Sequence, residues 1–484
     1  IKFMLKFTYK ALKKGIFNRY IFICLLLAIA FVAGIFANNK VFAPDLHRLY
    51  MESMMVTDQP PVIFIHGVLG SRIRDTRSKE DIWPGAISRL FSHDYSDAAY
   101  EIDPDTLEPK PSNSVTYGIF DGAAGKDFYG KIVHTLSEVG GYKLSKVGQK
   151  VNPKQKNYYV FLYDWRQDNV KTASELADFI EQVRQDYNNP KLKVDIVAHS
   201  MGGLITRYYI RYGKQDVIND NNFGEKVTMY GADRVRRVIL LGTPNLGSIR
   251  SLNLFITGLD IGVNQIATET LASMPSLYQL FPHSLNDWIV TSDGTPLDRD
   301  LFDVEIWRRF EWSIFDPKVR ERILAKYENK AEGEEYLVTF EKYFEKNLER
   351  ARRFVWSLSV ATPEPEPKLM VFGGGCTLTS ARIMVEEVDG DSVIRMYPSE
   401  ITQPVAGVDY DALLLEPGDG SVTKASLLGR NALDPSVQRH RFIHLPIAQS
   451  FFLCESHESL TGNLNFQDNL LNTLLSRDAE QQGE

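Results

Sequence analysis

Cysteine is scarce in this chain, and the usual metal-binding patterns are missing. Three cysteines occur in 484 residues, and none stands at zinc-ligand spacing with a histidine. No Asp/Asn-rich loop of the calcium-binding kind is present. The sequence therefore implies no cofactor. Internal repeats and low-complexity tracts are lacking too, and a content of 44% apolar and 24% charged residues suits a globular protein with a sizeable core. Acidic residues are absent from residues 1–19, which carry Lys2, Lys6, Lys10, Lys13, Lys14 and Arg19. Taking those six from 55 Lys and Arg leaves 49 against 62 Asp and Glu, a formal charge of −13 on the remainder. Such an acidic body argues against a nucleic-acid partner, whose affinity rests on neutralised phosphates. It argues equally against general attraction to an anionic membrane, though not against a local patch that touches lipid.

Charge is also missing from Tyr20–Ala37 (YIFICLLLAIAFVAGIFA), eighteen residues behind a wholly basic flank. That length lies at the lower edge of a membrane span and above most signal-peptide cores. With no polar face it does not read as a packed core helix, so residues 1–43 are expected to direct export. Ala37 and Ala43 each end a candidate cleavage site, the second spoiled by Pro44. The expected destination is periplasmic, secreted, or held at the membrane by this segment. Cys24 falls within it, which leaves Cys376 and Cys454 for the body. Their spacing does not decide whether they pair.

Beyond the leader, short apolar runs alternate with amphipathic stretches. Pro61–His66, Tyr158–Tyr163, Val194–His199 and Val235–Leu241 read as strands buried on both faces, with helices over Thr172–Tyr187 and Gly202–Tyr212. This alternation predicts an α/β fold, a mostly parallel sheet with helices on both faces. Residues 72–125 read as a loop-rich stretch. From Pro244 the pattern turns helical and charged, with Trp288, Trp307, Trp312 and Trp356, until the proline-rich connector Thr362–Pro367. Sheet character returns at Leu369–Phe372, in a hairpin over Arg382–Tyr397 and in a strand over Arg441–Ile447, before a last helix over Asn465–Leu475. The expected organisation is a sheet domain in two parts, 58–244 and 368–478, around a helical cap at 245–367.

Ala198-His199-Ser200-Met201-Gly202-Gly203 stands between a predicted strand and a predicted helix, the setting of a nucleophile elbow. The alternative, a serine that merely caps a helix, does not account for the small residues on both sides of it. A serine hydroxyl needs a base, and the base an orienting acid, here expected in the order Ser, Asp, His. Four histidines follow: His283 in the cap, His440 beside arginines, His444 in an apolar strand, and His457 in a loop before the last helix. His457 is the chosen base. Asp419, between Gly418 and Gly420, is the chosen acid, with Asp409 and Asp411 as alternates. Taken alone, Asp419 would pass for an ordinary turn residue. The two oxyanion donors are expected to be the backbone amides of Met201 and of Val68 in the His66–Gly70 loop. Leu69, Trp83 and Trp165 are candidates for the substrate pocket or lid. The Asp164–Arg166 pair reads as lining that pocket or, equally, as bracing a loop under a packed Trp165.

Seven blocks in order, PVIFIHGVLGS, IWPG, YDWR, AHSMGG, LGTPNLGS, GDGSV and SHESL, resemble the lecithin:cholesterol acyltransferase family in a bacterial-looking version. The resemblance runs from about Pro61 to Leu475 and implies an α/β-hydrolase fold with an inserted helical cap. It also implies Ser200 as nucleophile, Asp419 as acid, His457 as base, and Val68 and Met201 as oxyanion donors. A lid near Ile82–Gly85 is implied, and with it a serine-dependent acyl hydrolase or O-acyltransferase acting on lipid esters, typically of glycerophospholipids, at a membrane or lipid-particle surface. His66-Gly67 stands where eukaryotic members have Pro-Gly, and their lid cysteines have no counterpart between 72 and 125. The competing reading is a catalytically silent hydrolase scaffold that binds lipid or a partner.

Overall fold

A computed structural model describes residues 25–27, 29–30, 45–51, 59–85, 95–123, 126–221, 223–224, 226–261, 263–360, 362, 367, 369–430 and 445–476. Most of the uncharged segment 20–37, the candidate cleavage sites and most of the 362–367 connector therefore lie outside the described residues, as do His440 and His444. No described helix is long and apolar enough to cross a membrane. Residues 1–51 form a unit of their own, in which Asp45 caps a short helix, Leu46–Tyr50.

The rest of the chain is built on one seven-stranded sheet. Its strands are β1 (Val62–Ile65), β2 (Lys143–Leu144), β3 (Asn157–Phe161), β4 (Val194–His199), β5 (Val235–Leu241), β6 (Leu369–Gly374) and β7 (Ile447–Leu453). They lie in the order β7-β6-β5-β4-β1-β3-β2, every pair parallel. Both faces are covered, which is why β1 is a continuous apolar run. Ile63 and Ile65 pack into the core shared with helices α1 (Asn169–Asp186) and α2 (Met201–Tyr212). Val62 and Phe64 face the opposite way, toward Ile132, Leu136 and helix α3 (Leu464–Leu475). From β1 the chain proceeds to one side of the sheet, then returns to build β4 to β7 on the other. The loops after β1 and β4 thus diverge and open a crevice at their carboxyl ends, where ligands of such sheets bind.

Three expectations need correction. The stretch read as loop holds a three-stranded antiparallel sheet of Ser71–Asp75, Asp81–Trp83 and Ser114–Ile119. Its first strand buries Ser71 and Ile73 and turns Arg72 and Arg74 outward, a half-buried alternation that charge disguised. The last strand is Ile447–Leu453, later than expected; residues 441–444 lie outside the described ones. The cap is not wholly helical. Leu259–Ile261 pairs with Asn264–Ile266, and β-branched Ile289–Thr291 joins the hairpin of Ile383–Val388 and Asp391–Arg395. The predicted hairpin turn at Asp389-Gly390 is present, both residues at positive φ.

Trp288, Trp307 and Trp312 of the cap are core, Trp307 fully buried among Phe281, Trp312 and Phe344, whereas Trp356 is half-buried. A long cap helix, Lys330–Ser357, is pinned to the sheet domain by Arg350. Its guanidinium bonds to Asp168 at 2.7 and 3.0 Å and to Asp216 at 2.9 Å, while Asp168 also caps α1. Arg350 is 20% and Asp168 14% exposed, so removing the cation strands a mostly buried carboxylate. Arg350→Ala is expected to cost about 3 kcal/mol of unfolding free energy by urea denaturation; a loss below about 0.5 kcal/mol, typical of exposed pairs, would deny the pin.

Candidate active site

The crevice forms where β4 ends. Ser200 follows directly, at φ 53° and ψ −126°, a conformation unusual for a residue with a side chain. Its amide donates to Leu241 O at 2.8 Å, and Met201 begins α2 at once. Two glycines permit the turn. A methyl group on Gly202 would stand 2.5 Å from His66 O, and one on Gly67 would stand 2.7 Å from the Ser200 Cβ. The loop after β1 therefore rests directly on the serine, as only a bare backbone can.

His457 arrives from the loop after β7. Its amide donates to Asp419 O at 2.9 Å, which joins the two loops before any side chain acts. Asp419 accepts from His457 Nδ1–H at 2.7 Å, and the Ser200 hydroxyl donates to His457 Nε2 at 2.9 Å. The other Asp419 oxygen accepts from the amides of Ser421 and Val422, at 2.9 and 2.7 Å. Burial opposes ionisation of this carboxyl, but the His457 charge and bond and the two amides outweigh it and hold its pKa below the ordinary value. For His457 burial likewise disfavours the charged ring, yet Asp419 prevails and its pKa is raised.

The structure thus brings Ser200, Asp419 and His457 together and leaves the described alternates elsewhere. His283 is buried in the cap against the Ser359 hydroxyl at 3.0 Å. Asp409 caps a helical turn by accepting from Ala412 N, and Asp411 is exposed.

Val68 and Met201 lie beside the serine, and among the described residues neither amide has a partner. The direction of the Val68 N–H is fixed by its neighbour. Gly67 O accepts from His66 Nδ1–H at 2.8 Å and from Gly70 N at 3.2 Å. Because a trans peptide sets N–H opposite C=O, the Val68 N–H points away from both. Burial pushes the His66 pKa down to about 4, so the ring is neutral, and it stacks on Tyr163 at 4.1 Å.

Leu69, Trp83 and Trp165 come together as well. Leu69, at φ 63°, offers its carbonyl to the Trp83 indole N–H at 2.8 Å, and Trp83 meets Trp165 edge-on at 6.1 Å. The Asp164–Arg166 pair has the bracing arrangement. Arg166 is bidentate to Asp164, at 2.9 and 2.7 Å, and reaches Ala98 O and the Ser114 hydroxyl at 3.0 and 2.7 Å.

Other features carried no usable signal in the sequence. Tyr129, just beyond the stretch read as loop, bonds to both Gly67 N and His199. His199 was legible only as a flank of the serine. Cys376 and Cys454, whose pairing spacing left open, are joined with Cα atoms 4.9 Å apart, Cys454 standing three residues before His457. Among the described residues no group of three His, Cys, Asp or Glu could hold a metal ion.

Comparison with known proteins adds a partial family match and a fold. The sequence model of the lecithin:cholesterol acyltransferase family matches residues 130–352. A chain of the Tle4–Tli4 complex crystal structure aligns with a TM-score of 0.51 and 15% identity, covering 86% of this chain and 98% of that one. Lipase from Staphylococcus hyicus aligns at TM-score 0.34 and 12% identity over 86% of this chain and 94% of its own. Lipase 1 from Pelosinus fermentans gives 0.33 and 12% over 87% and 100%. The parallel sheet, the serine turn at its carboxyl edge and the inserted cap are those of an α/β-hydrolase, and within that fold residues 130–352 match the sequence model of the lecithin:cholesterol acyltransferase family.

Proposed function

We propose that this protein is a serine-dependent lipid acyl hydrolase or O-acyltransferase that cleaves carboxylic esters, glycerophospholipids foremost. The family match supports the coarse class. The observation that carries the mechanism is the run of hydrogen bonds from Ser200 through His457 to Asp419, at 2.9 and 2.7 Å. In this reading His457 Nε2 takes the hydroxyl proton as Ser200 Oγ attacks the ester carbonyl. The resulting oxyanion is met by the amides of Val68 and Met201. His457 then returns the proton to the departing alcohol, leaving an acyl group on Ser200. Water or a second alcohol repeats the sequence in reverse and takes the acyl group away. Asp419 stays ionised throughout and steadies the imidazolium. No step calls for a metal or cofactor.

Export belongs to the same proposal. Its support is the basic flank before Tyr20–Ala37, together with a disulfide between two exposed cysteines, which suits an oxidising compartment.

Covalent labelling tests the mechanism. A fluorophosphonate probe is expected to label the wild type and not Ser200→Ala; equal labelling of the two would favour the silent scaffold. His457→Ala is expected to lose several orders of magnitude in turnover. Near-normal turnover there, with His444→Ala dead, would move the base to His444. Mass analysis of products from phospholipid, with and without a sterol or long-chain alcohol, identifies the acceptor.

The pH dependence carries a sign. The working base is neutral His457, whose pKa is raised above 6.5, so its idle protonated form persists to higher pH than for a free imidazole. The acid limb of kcat/KM is expected to have its midpoint above 6.5. Asp419→Asn removes the raising cause and keeps the burial, so the midpoint should move to lower pH while turnover falls on the order of 10⁴-fold. An unmoved midpoint would mean that another group titrates.

A further inference from the structure

The buried residue that precedes the serine has no part in the proton transfers above, yet it is wired into them. His199 is 6% exposed and its ring lies 4.9 Å from that of His457, centroid to centroid. Its Nε2 faces the carbonyl oxygen of His457 at 3.2 Å. A carbonyl only accepts, so this nitrogen carries the proton. The other nitrogen, Nδ1, lies 2.8 Å from the Tyr129 hydroxyl. Burial, with the neighbouring His457 charge adding to it, pushes the His199 pKa down to about 3, so the ring is neutral and Nδ1 is bare. It therefore accepts from Tyr129. The tyrosine oxygen in turn accepts from Gly67 N–H at 2.9 Å. Every proton in this chain has one possible place.

The chain joins the loop of the proposed oxyanion amide to the backbone of the base, passing under the serine turn. Gly67 N–H is held at one end, and Gly67 O is held by His66 and Gly70, so both peptide planes around Gly67 are fixed and with them the Val68 N–H. Tyr129 has little freedom to yield. It is 4% exposed, its amide donates to Asp121 O, and the preceding carbonyl, Phe128 O, accepts from Thr461 in the turn that follows His457.

We propose that Tyr129 and His199 are positioning residues of the acyl-transfer site, setting the oxyanion loop against the base loop through Gly67 N–H, the Tyr129 hydroxyl, the His199 ring and the His457 carbonyl. This rests on the serine-hydrolase reading of the same site. The pair acts on the geometry of the transition state and not on the binding of substrate.

Tyr129→Phe keeps the ring and deletes the link. It is expected to lower kcat by roughly 10- to 100-fold and leave KM within about twofold. An alkylboronic acid, which forms a tetrahedral adduct on the serine, should lose affinity by the same factor. His199→Phe should behave alike and serves if the first variant folds poorly. Because both break one chain, the double variant should be no worse than the weaker-performing single. Tyr142→Phe is the control, since among the described residues the buried Tyr142 hydroxyl has no hydrogen-bond partner and its loss should leave kcat unchanged. The inference is overturned if folded Tyr129→Phe turns over within twofold of wild type. It is overturned equally if boronate affinity holds while kcat falls, or if the two single losses multiply in the double variant. A wild type that neither turns over ester nor takes the fluorophosphonate label would remove the hydrolase reading itself, and this inference with it; an active wild type with an equally active Tyr129→Phe removes only the inference.

Discussion

The site depends on a backbone constraint, that Ser200 must turn the chain at positive φ between the end of β4 and the start of α2. A residue with a Cβ holds that conformation at a cost of about 1–3 kcal/mol, and it persists only if its surroundings leave no alternative. Here they come from residues that lack side chains. Gly202 lets α2 start against the β1 carbonyls, Gly203 makes room for Thr243, and Gly67 lets the loop after β1 lie on the serine. The loop after β1 and Ser200 are neighbours because the chain adds strands on one side of β1 and then, from β4, on the other. Their close approach is possible because the contact is backbone against backbone.

The second requirement is a carboxylate that stays charged while nearly buried. Asp419 meets it by dividing its oxygens, one to two backbone amides and one to His457. The loop that supplies those amides is itself clamped. Ser248 Oγ donates to Ser421 O at 2.5 Å, Ser426 Oγ donates to Gly247 O at 2.6 Å, and Leu246 N donates to Ser426 Oγ at 3.1 Å. The block LGTPNLGS is thus the scaffold of the Asp419 loop. The cap is therefore coupled to the site: the segment that leaves β5 for the cap also holds the Asp419 loop in register.

What was legible in the sequence follows from how completely each element is buried. Strand β1 is covered on both faces and is written as an unbroken apolar run, while β4 and β5 carry the shorter runs Ile196–Ala198 and Val238–Leu241 beside the ion pair of Asp195 and Arg236. Strand β7 lies at the sheet edge with Ala448, Gln449 and Ser450 exposed, so its pattern is too polar to stand out, and the expected strand fell before it. Helix α1 begins three residues earlier than its apolar periodicity suggests, because Asp168 caps it and Asn169 is buried for reasons of tertiary packing. Ser200, Asp419 and His457 could be chosen because chain order and loop setting restrict them. Tyr129 could not, since its role arises from a contact with residues 62 and 70 positions away that no local pattern encodes.

The loop 66–70 is held from three directions by groups of different origin, and this bears on how the site works. The His66 ring, stacked on Tyr163, fixes the Gly67 carbonyl from inside the loop, Tyr129 fixes the Gly67 amide from the helical side, and Trp83 fixes the Leu69 carbonyl from the small antiparallel sheet. Trp83 is in turn packed on Trp165, whose neighbours Asp164 and Arg166 tie the same small sheet down at Ser114. The peptide planes on both sides of Gly67, and with them the direction of the Val68 N–H, are therefore set before any substrate arrives. Donors fixed in advance need no reorganisation as charge develops, and such fixed donors are usually the largest electrostatic contribution to acyl transfer. A lid that closed by moving Trp83 would have to release the Leu69 carbonyl and loosen the loop that carries the proposed donor. Opening of the site is better sought in segments that make no bond to residues 66–70.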